Sequence, residues 1–201
     1  MPVHKPFLIG LTGSIGMGKS ETARLFAAEG IPVFDADAVI HELYAGEAAA
    51  MIEAAFPGST RKGAVDRDAL SKIVMRDGPA LARLESLMHP LAAQKRADFL
   101  AAHADVPIVL LDVPLLLETG AKVDAVVVAT APAHIQRERV MTRPGMSEAK
   151  FAALLARQMS DDEKRAQAHY LVMTDKGLDH ARDQVKMILA DIRQKLTEET
   201  D

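Results

Sequence analysis

A glycine-rich segment that ends in lysine and serine is the strongest chemical signal in this sequence. Glycines let backbone N–H groups turn toward a phosphate, and a helix N-terminus adds partial positive charge. The lysine would offset charge on the β- and γ-phosphates of ATP, and the serine hydroxyl would ligate Mg²⁺. The segment matches the pattern G-x-x-x-x-G-K-[ST] in full and runs Gly13, Ser14, Ile15, Gly16, Met17, Gly18, Lys19, Ser20.

A candidate metal ligand ends one of the apolar runs. Asp112 follows Ile108-Val-Leu-Leu, and four apolar residues before an aspartate form the Walker B pattern, whose carboxylate reaches Mg²⁺ or its water shell. Buried strands also end in aspartate for reasons of loop structure or capping. We predict a metal-site role for Asp112 because it lies where a phosphate-binding fold would need one.

Two further carboxylates, Asp35 and Asp37, follow another short apolar run. Ligands of open α/β sheets bind beyond the carboxyl ends of the strands, so these residues should share an edge with the glycine-rich loop. An aspartate there can orient an attacking hydroxyl and accept its proton, and aspartate is also a favoured helix N-cap. We predict a functional role for at least one of the two.

A basic segment follows the fourth apolar run. Arg139 and Arg143 are four residues apart and would share a helix face. Guanidinium groups bind phosphate oxygens and stabilise a transferring phosphoryl group, which favours a mobile lid over ATP at about 137–165. The alternative is a solvated charged helix with Glu138 as partner. Three more basic residues lie nearby: Arg157, Lys164 and Arg165.

Five apolar runs, rich in Val, Ile and Leu, alternate with helical patterns. They lack regular polar alternation, which is typical of strands buried on both faces. We therefore predict an α/β fold, a P-loop three-layer sandwich with a five-stranded parallel sheet. The predicted strands are Phe7–Thr12, Ile31–Phe34, Pro107–Asp112, Ala125–Thr130 and Tyr170–Met173.

The long gap between the second and third predicted strands, about 38–105, has helical patterns throughout. We predict a helical insertion there within a single domain, 1–201. Asp66 would cap a helix in this gap. A helix over Ala80–His89 should end before Pro90, which would begin a new helix.

Two later segments also have helical patterns. Ser147 can cap a helix over Glu148–Met159. The last segment carries its apolar residues on one stripe, which predicts a helix packed on the sheet. That stripe consists of Leu178, Ala181, Val185, Ile188, Ile192 and Leu196.

Composition narrows the classes of protein. The 201 residues carry a net charge of −4. Proteins that bind the phosphate backbone of DNA or RNA usually have a surplus of basic residues, so we expect no nucleic-acid partner. The absence of cysteine excludes disulfides, thiolate zinc sites and cysteine nucleophiles. Neither a signal-peptide pattern nor a run of about 18 apolar residues occurs, so we expect a cytoplasmic protein with no membrane partner.

Together these motifs resemble those of the dephospho-coenzyme A kinase family over nearly the whole chain, in order and with similar spacing. The P-loop alone is shared by many families, and the other segments are much more specific. The matching segments are Leu11–Ser20, Asp35–Asp37, His89-Pro90, Val113–Glu118, and Gln136 with Arg139 and Arg143.

The resemblance implies transfer of the γ-phosphoryl group of ATP to the 3′-hydroxyl of dephospho-coenzyme A, the last step of coenzyme A synthesis, by a nucleotide-binding core, a helical substrate domain and a lid. Asp37 matches the catalytic base, Lys19 the P-loop lysine, and Arg143 the lid arginine that contacts ATP. Thr12 matches a threonine near the reacting groups. Thr174 stands where the family often has asparagine.

Two matching residues keep two interpretations each. His89 is either a substrate contact or a residue of helix capping and local packing. Glu118 is either a substrate contact or a loop anchor. We expect Arg139 to help neutralise the negative charge on the phosphoryl group during its transfer.

Two rival functions remain at this stage. Another P-loop kinase, acting on a nucleoside monophosphate or a small alcohol, would share the architecture. A nucleotide-binding switch would need a base-reading Asn-Lys-x-Asp segment, which this sequence lacks. In addition, Asp112 is followed by Val-Pro-Leu and not by the x-x-Gly of a γ-phosphate sensor.

Overall fold

The computed structural model describes residues 5–75 and 77–198, which form two compact units. The first unit holds the described residues up to Phe34 and from Ala104 onward, and the second is Asp35–His103. In chain order the elements are β1 (Phe7–Thr12), α1 (Lys19–Ala28), β2 (Val33–Asp35), α2 (Ala36–Ala45), α3 (Ala49–Ala55), β3 (Thr60–Arg61), β4 (Ala64–Val65), α4 (Arg67–Val74), α5 (Gly78–Ala102), β5 (Ile108–Asp112), β6 (Ala125–Thr130), α6 (Ala133–Met141), α7 (Glu148–Leu155), α8 (Asp161–Ala166), β7 (Tyr170–Met173) and α9 (Leu178–Glu198).

The first unit is built on a five-stranded parallel sheet with the order β2-β5-β1-β6-β7, which confirms the predicted fold class. Strand β1 is central, with Leu11 opposite Asp112 of β5 and Thr12 opposite Val128 of β6. Because the strands are parallel, their carboxyl ends meet at one edge. The loops that follow β1, β5, β6 and β7 therefore all begin at that edge.

Apolar burial explains why these segments form a sheet. Every residue of β5 and β6 is buried, as expected for strands covered on both faces. Most of the predicted C-terminal stripe is confirmed: Ala181, Val185, Ile188 and Ile192 of α9 are buried in the same cluster as the sheet residues, whereas Leu178 is exposed. This packing supplies the rigid support on which the loops of the carboxyl edge are held.

The second unit has its own apolar core, but it is not helical throughout as predicted. Strands β3 and β4 pair as an antiparallel hairpin. Lys62 and Gly63 between them both have positive φ, 54° and 82°, which suits a tight hairpin turn. The Glu53 carboxylate supports this hairpin by accepting hydrogen bonds from the backbone N–H groups of Gly58 and Thr60.

The prediction that Pro90 starts a new helix is also wrong, since α5 runs unbroken through it. A proline inside a helix removes one backbone hydrogen bond and destabilises the helix. Here an apolar stripe continues across the proline, with Leu84, Leu87, Met88 and Leu91 all packed in the core of the second unit. Burial on both sides of Pro90 thus keeps the two halves in one helix.

The remaining predicted elements match closely. Asp66 caps α4 and Ser147 caps α7 through their side chains. Helix α7 ends at Leu155 and does not reach Met159. Among the described residues, no helix is both long and apolar enough to cross a membrane.

Candidate active site

The glycine-rich loop follows β1 and leads into α1, the strand–loop–helix order that a phosphate-binding loop requires. Gly16 and Gly18 have φ of 80° and 88°, values that side chains disfavour. Neighbours also crowd both positions: an added Cβ would lie 2.6 Å from Val140 at Gly16 and 2.9 Å from Thr174 at Gly18. Only glycine therefore fits these two positions of the loop.

Lys19 and Asp112, predicted from separate motifs, form an ion pair at this edge. The Lys19 Nζ atom lies 2.6 Å from Asp112 Oδ1, and the Asp112 side chain is only 4% exposed. A buried ion pair keeps both charges in a fixed geometry. The pair therefore places one cation and one carboxylate beside the loop, the two groups that a nucleotide phosphate and its metal need.

Two glutamine side chains hold the backbone of Ile15 within the loop. Gln136 of α6 donates from Nε2 to the Ile15 carbonyl at 2.8 Å. The Ile15 N–H donates to Oε1 of Gln158, which follows α7, at 3.1 Å. Both backbone polar groups of Ile15 are thus hydrogen-bonded, one by Gln136 of α6 and one by Gln158, which lies in the segment predicted as the lid.

Arg139 connects α6 to the loop that follows β7. Its guanidinium donates to Thr174 Oγ1 at 2.8 Å and to the Thr174 carbonyl at 2.7 Å. The Thr174 hydroxyl in turn donates to the Met17 carbonyl at 2.9 Å. Arg139 and Thr174 therefore act together as a brace for the glycine-rich loop, a role that was not predicted for either.

The side chains of Thr12 and Met17 are also engaged in holding the loop. The buried Thr12 hydroxyl donates to the Pro114 carbonyl at 3.0 Å, which ties β1 to the loop after β5. The Met17 sulfur accepts from the Ala131 N–H at 3.2 Å. These contacts fix the loop from both neighbouring strands, while Ser20 lies exposed in the first turn of α1.

Glu118 occupies the position of a loop anchor. Its carboxylate accepts from Lys164 Nζ at 2.7 Å and from the Met159 N–H at 2.9 Å. Burial alone would raise the pKa of Glu118, but these hydrogen bonds outweigh it and hold the pKa below its usual value. The proposed substrate contact of Glu118 stays a prediction. Lys164, one of the basic residues that follow Arg139 and Arg143 in sequence, is fully buried in this pair.

The rest of the basic segment lies at the surface. Arg143 is exposed just after α6 and makes no side-chain hydrogen bond with another described residue. Arg137 pairs with Glu148 of α7. Arg143 is thus available to bind a ligand, in contrast to Arg139, and its predicted contact with ATP remains a prediction.

One of the two predicted carboxylates, Asp35 and Asp37, caps the helix after β2. Asp35 is the N-cap of α2 and accepts from the Ala38 N–H at 2.9 Å. Asp37 lies exposed in the first turn and has no side-chain hydrogen bond with another described residue. The carboxylate of Asp37 is therefore available to a ligand.

His89 lies exposed inside α5, so it caps no helix.

The chemistry of Mg²⁺ fits the residues of the first unit. No group of three or more His, Cys, Asp or Glu residues suited to a metal occurs among residues 5–75 and 77–198. Mg²⁺ bound with a nucleotide needs no such group, since phosphates and water supply most ligands and the protein adds one or two oxygens. The Ser20 hydroxyl and the Asp112 carboxylate are oxygens of that kind.

Sequence reasoning missed three contributors to this site: Gln158, Thr174 as a brace, and Lys164 as the partner of Glu118. A glutamine carries no charge and fits no motif, so its role depends on the fold. Gln136, Arg139 and Arg143 were predicted in one segment, but α6 ends at Met141, before Arg143, and only Gln136 and Arg139 hydrogen-bond to the loop.

Known proteins similar to this chain point to one family. A family model described as dephospho-CoA kinase matches residues 7–180. The dephospho-CoA kinase of Mesorhizobium japonicum is 51% identical over 190 residues, which cover 92% of this chain and 96% of that protein. That of Cereibacter sphaeroides is 54% identical over 194 residues, covering 94% and 98%. The crystal structure of TT1252 from Thermus thermophilus is 32% identical, with a TM-score of 0.84 and coverage of 94% and 98%.

Proposed function

This chain belongs to the dephospho-CoA kinase family, and from that membership we propose that it transfers the γ-phosphoryl group of ATP to the ribose 3′-hydroxyl of dephospho-CoA. The products are coenzyme A and ADP, and the reaction is the last step of coenzyme A synthesis. The observation that carries this proposal is the glycine-rich loop with its Lys19–Asp112 pair, located inside the matched region 7–180.

The loop supplies the binding energy for the phosphates of ATP. Its backbone N–H groups and the N-terminus of α1 offer donors and positive potential, and Lys19 adds a full charge. Gln136, Gln158 and Arg139 hold the loop in shape from outside. A preorganised loop stabilises the transition state because no reorganisation is needed when negative charge develops during transfer.

Magnesium would be held by Ser20 and Asp112 together with the nucleotide phosphates. When bound, it neutralises charge on the β- and γ-phosphates. Asp112 can serve this role because the carboxylate is already placed beside Lys19. The two residues therefore divide the task, with the lysine on the phosphate and the carboxylate toward the metal.

Asp37 is assigned as the base that orients the ribose hydroxyl and accepts its proton. Its exposed carboxylate, without a hydrogen-bond partner among the described residues, supports this role, since Asp35 already caps α2. Arg143 is assigned to the ATP phosphates because its side chain is likewise uncommitted. The segment 137–165 acts as the lid in this assignment, and Asp35–His103 carries the acceptor. His89 and Glu118 are retained as candidate acceptor contacts.

We place the reaction in the cytoplasm, where ATP and the precursor of coenzyme A are available. The partners are then small molecules, ATP and dephospho-CoA, without nucleic acid or membrane. The net charge of −4 agrees with this, since it provides no general basic surface.

A coupled ADP-release assay tests the proposal. With ATP and Mg²⁺, dephospho-CoA should be turned over much faster than adenosine, AMP or shikimate. Coenzyme A should be identified as the product by mass spectrometry, with the phosphate on the 3′-oxygen. Equal or faster turnover of another acceptor would contradict the substrate assignment while leaving the phosphate-binding loop intact.

A further inference from the structure

Arg67 and His41 form a contact in the second unit that no motif predicted. The Arg67 Nη1 atom lies 2.7 Å from His41 Nε2. Arginine only donates hydrogen bonds, so Nε2 of the imidazole must accept this one, and the ring proton then resides on Nδ1. His41 therefore has an N–H donor at Nδ1, and the remaining N–H groups of Arg67 make no hydrogen bond with another described residue.

The charge of Arg67 is not neutralised by a carboxylate. Among the described residues, no Asp or Glu oxygen lies within 4.0 Å of this guanidinium, although Asp66 and Asp68 flank it in sequence. Asp66 instead accepts from backbone N–H groups of α4 and pairs with Arg61 at 3.5 Å. An exposed arginine held in place by a neutral histidine is a site prepared for an anion.

Tyr44 adds a third donor on α2, the helix that carries His41. Burial raises the pKa of its phenol, and the positive charge of Arg67 lowers it by a smaller amount. Its hydroxyl therefore stays protonated at neutral pH and can donate. Arg67, His41 and Tyr44 together offer donors and a positive charge, and among the described residues no carboxylate pairs with Arg67.

Helix α2 places two of these donors, His41 and Tyr44, in line with Asp37. Residues 37, 41 and 44 follow the spacing i, i+4, i+7 and so lie on one face of the helix. One helical turn of about 5.4 Å separates Asp37 from His41 along the axis. In dephospho-CoA, only ribose carbons and one ester oxygen separate the 3′-hydroxyl from the first phosphorus of the diphosphate. The distance between these two groups is therefore similar to one helical turn.

We propose that Arg67 and His41, with Tyr44, bind the diphosphate of the acceptor while Asp37 on the same helix face receives its 3′-hydroxyl. This inference rests on the proposed function, since it assigns a subsite to that acceptor. The guanidinium would bind phosphate oxygens in its planar fork, and His41 would hold the guanidinium orientation and donate from Nδ1. The subsite sets the position of the ribose relative to the base.

Steady-state kinetics of Arg67→Gln test the subsite. The variant should raise the KM for dephospho-CoA roughly tenfold to a hundredfold, the range expected for a lost charge-assisted hydrogen bond. The kcat and the KM for ATP should stay within about twofold of wild type, because the lost contact concerns acceptor binding alone. Isothermal titration with dephospho-CoA in the absence of ATP should show a matching increase in Kd.

Three further variants provide controls. Lys72→Gln removes one exposed positive charge from the same helix and should leave the KM for dephospho-CoA within about twofold of wild type. Arg67→Lys keeps the charge but loses the fork, so its KM should fall between wild type and Arg67→Gln. His41→Gln keeps a neutral side chain with an acceptor for Arg67 and a donor for phosphate, and should bind dephospho-CoA better than His41→Leu.

Several results would overturn the subsite. An unchanged Kd for dephospho-CoA in Arg67→Gln would do so, as would a rise in the KM for ATP in place of that for the acceptor, since Arg67 would then serve the nucleotide. A lower kcat with both KM values unchanged would also contradict acceptor binding. Failure of the proposed function is distinguishable, because wild-type protein would then form no coenzyme A by mass spectrometry.

Discussion

The functional side chains of the two units differ in how far they are bound to other groups of the protein. In the first unit, nearly every candidate residue is bound to a protein partner: Lys19 to Asp112, Arg139 to Thr174 and Glu118 to Lys164. In the second unit, Asp37 and His89 are exposed, and the Arg67 side chain hydrogen-bonds, among the described residues, only to a neutral histidine. The first unit is preorganised, whereas the second leaves its polar groups for a ligand.

This difference matches the chemistry that each unit is assigned. A phosphate-binding loop gains from rigidity, because fixed dipoles stabilise developing charge without reorganisation. A base such as Asp37 must instead be free to accept a proton from its substrate, and a strong internal partner would compete with that. Substitutions in the first unit should therefore change ligand binding and stability. Those in the second unit should change only catalysis or the affinity for the acceptor.

The largest effect is expected for Lys19→Ala. The loss of a charge beside the transferring phosphoryl group should lower kcat/KM for ATP by roughly a thousandfold. It also leaves the buried Asp112 carboxylate without its ammonium partner, so the melting temperature should fall as well. Steady-state kinetics, ATP titration and thermal unfolding would show all three effects together.

The matched control for Lys19→Ala is Lys176→Ala, which removes an exposed lysine from the loop after β7. Its kinetics and melting temperature should resemble those of wild type. If Lys19→Ala kept kcat/KM within about tenfold of wild type, the lysine would not serve the transition state, and the preorganised site would be assigned to the wrong residue.

Asp37→Asn sharpens the contrast from the second unit. Loss of the proton acceptor should lower kcat by roughly two to three orders of magnitude, with little change in ATP affinity or melting temperature. Stopped-flow or steady-state turnover together with ATP titration measures this. The exposed position of Asp37, without a described hydrogen-bond partner, is the reason that stability should not suffer.

Asp35→Asn is the control for that substitution, because both changes neutralise one carboxylate at the start of α2. Asn caps helices about as well as Asp, so the bond to the Ala38 N–H should survive and activity should stay close to wild type. Equal losses of activity in Asp35→Asn and Asp37→Asn would mean that turnover depends on the negative charge at the start of α2 and not on Asp37 as a base.

Most of the framework of the first unit was predictable, for identifiable physical reasons. Apolar runs mark the strands of a parallel sheet, so β1, β6 and β7 were predicted with their observed bounds, even though β7 is only partly buried. The glycine-rich loop was predictable because positive φ and close approach both demand glycine. The long helix α5 was not, because the proline rule is local and the burial that overrides it is tertiary.

The candidate site was predictable only where a residue type dictates its chemistry. Lys19 and Asp112 have motif positions, and the fold brings them together. Of Asp35 and Asp37, the sequence could not say which caps the helix, since that depends on backbone geometry at one residue. Gln158 and Thr174 belong to no motif, because their roles consist of hydrogen bonds to backbone atoms far away in sequence.

Glu118→Gln tests whether the first unit also depends on its anchors for stability. The change leaves the fully buried Lys164 ammonium without a carboxylate, which should cost about 3 kcal/mol of unfolding free energy. Urea denaturation measures this, with Glu21→Gln as the control, since its pair with Arg24 is solvent-exposed and should contribute less than about 1 kcal/mol.

The pH dependence of stability follows from the lowered pKa of Glu118. A carboxyl group whose folded pKa is depressed stabilises the protein above its unfolded pKa, about 4.3, and loses that contribution as the pH falls through the lower folded value. Wild type should therefore lose stability in acid more steeply than Glu118→Gln. Parallel curves for the two proteins between neutral pH and acid would contradict the ionic role of Glu118.

The smallest effect concerns the two glutamines on Ile15, and the same substitution should act differently at each. Gln158→Glu keeps an acceptor for the Ile15 N–H, whereas Gln136→Glu loses the donor to the Ile15 carbonyl and places two acceptors face to face. Both add one negative charge beside the loop, so repulsion of ATP is matched between them. We expect Gln136→Glu to have a Kd for ATP roughly tenfold above that of Gln158→Glu, the cost of an unsatisfied acceptor. Equal affinities, measured by ATP titration, would mean that the loop keeps its shape without the Gln136 hydrogen bond, through its other contacts with Arg139 and Ala131.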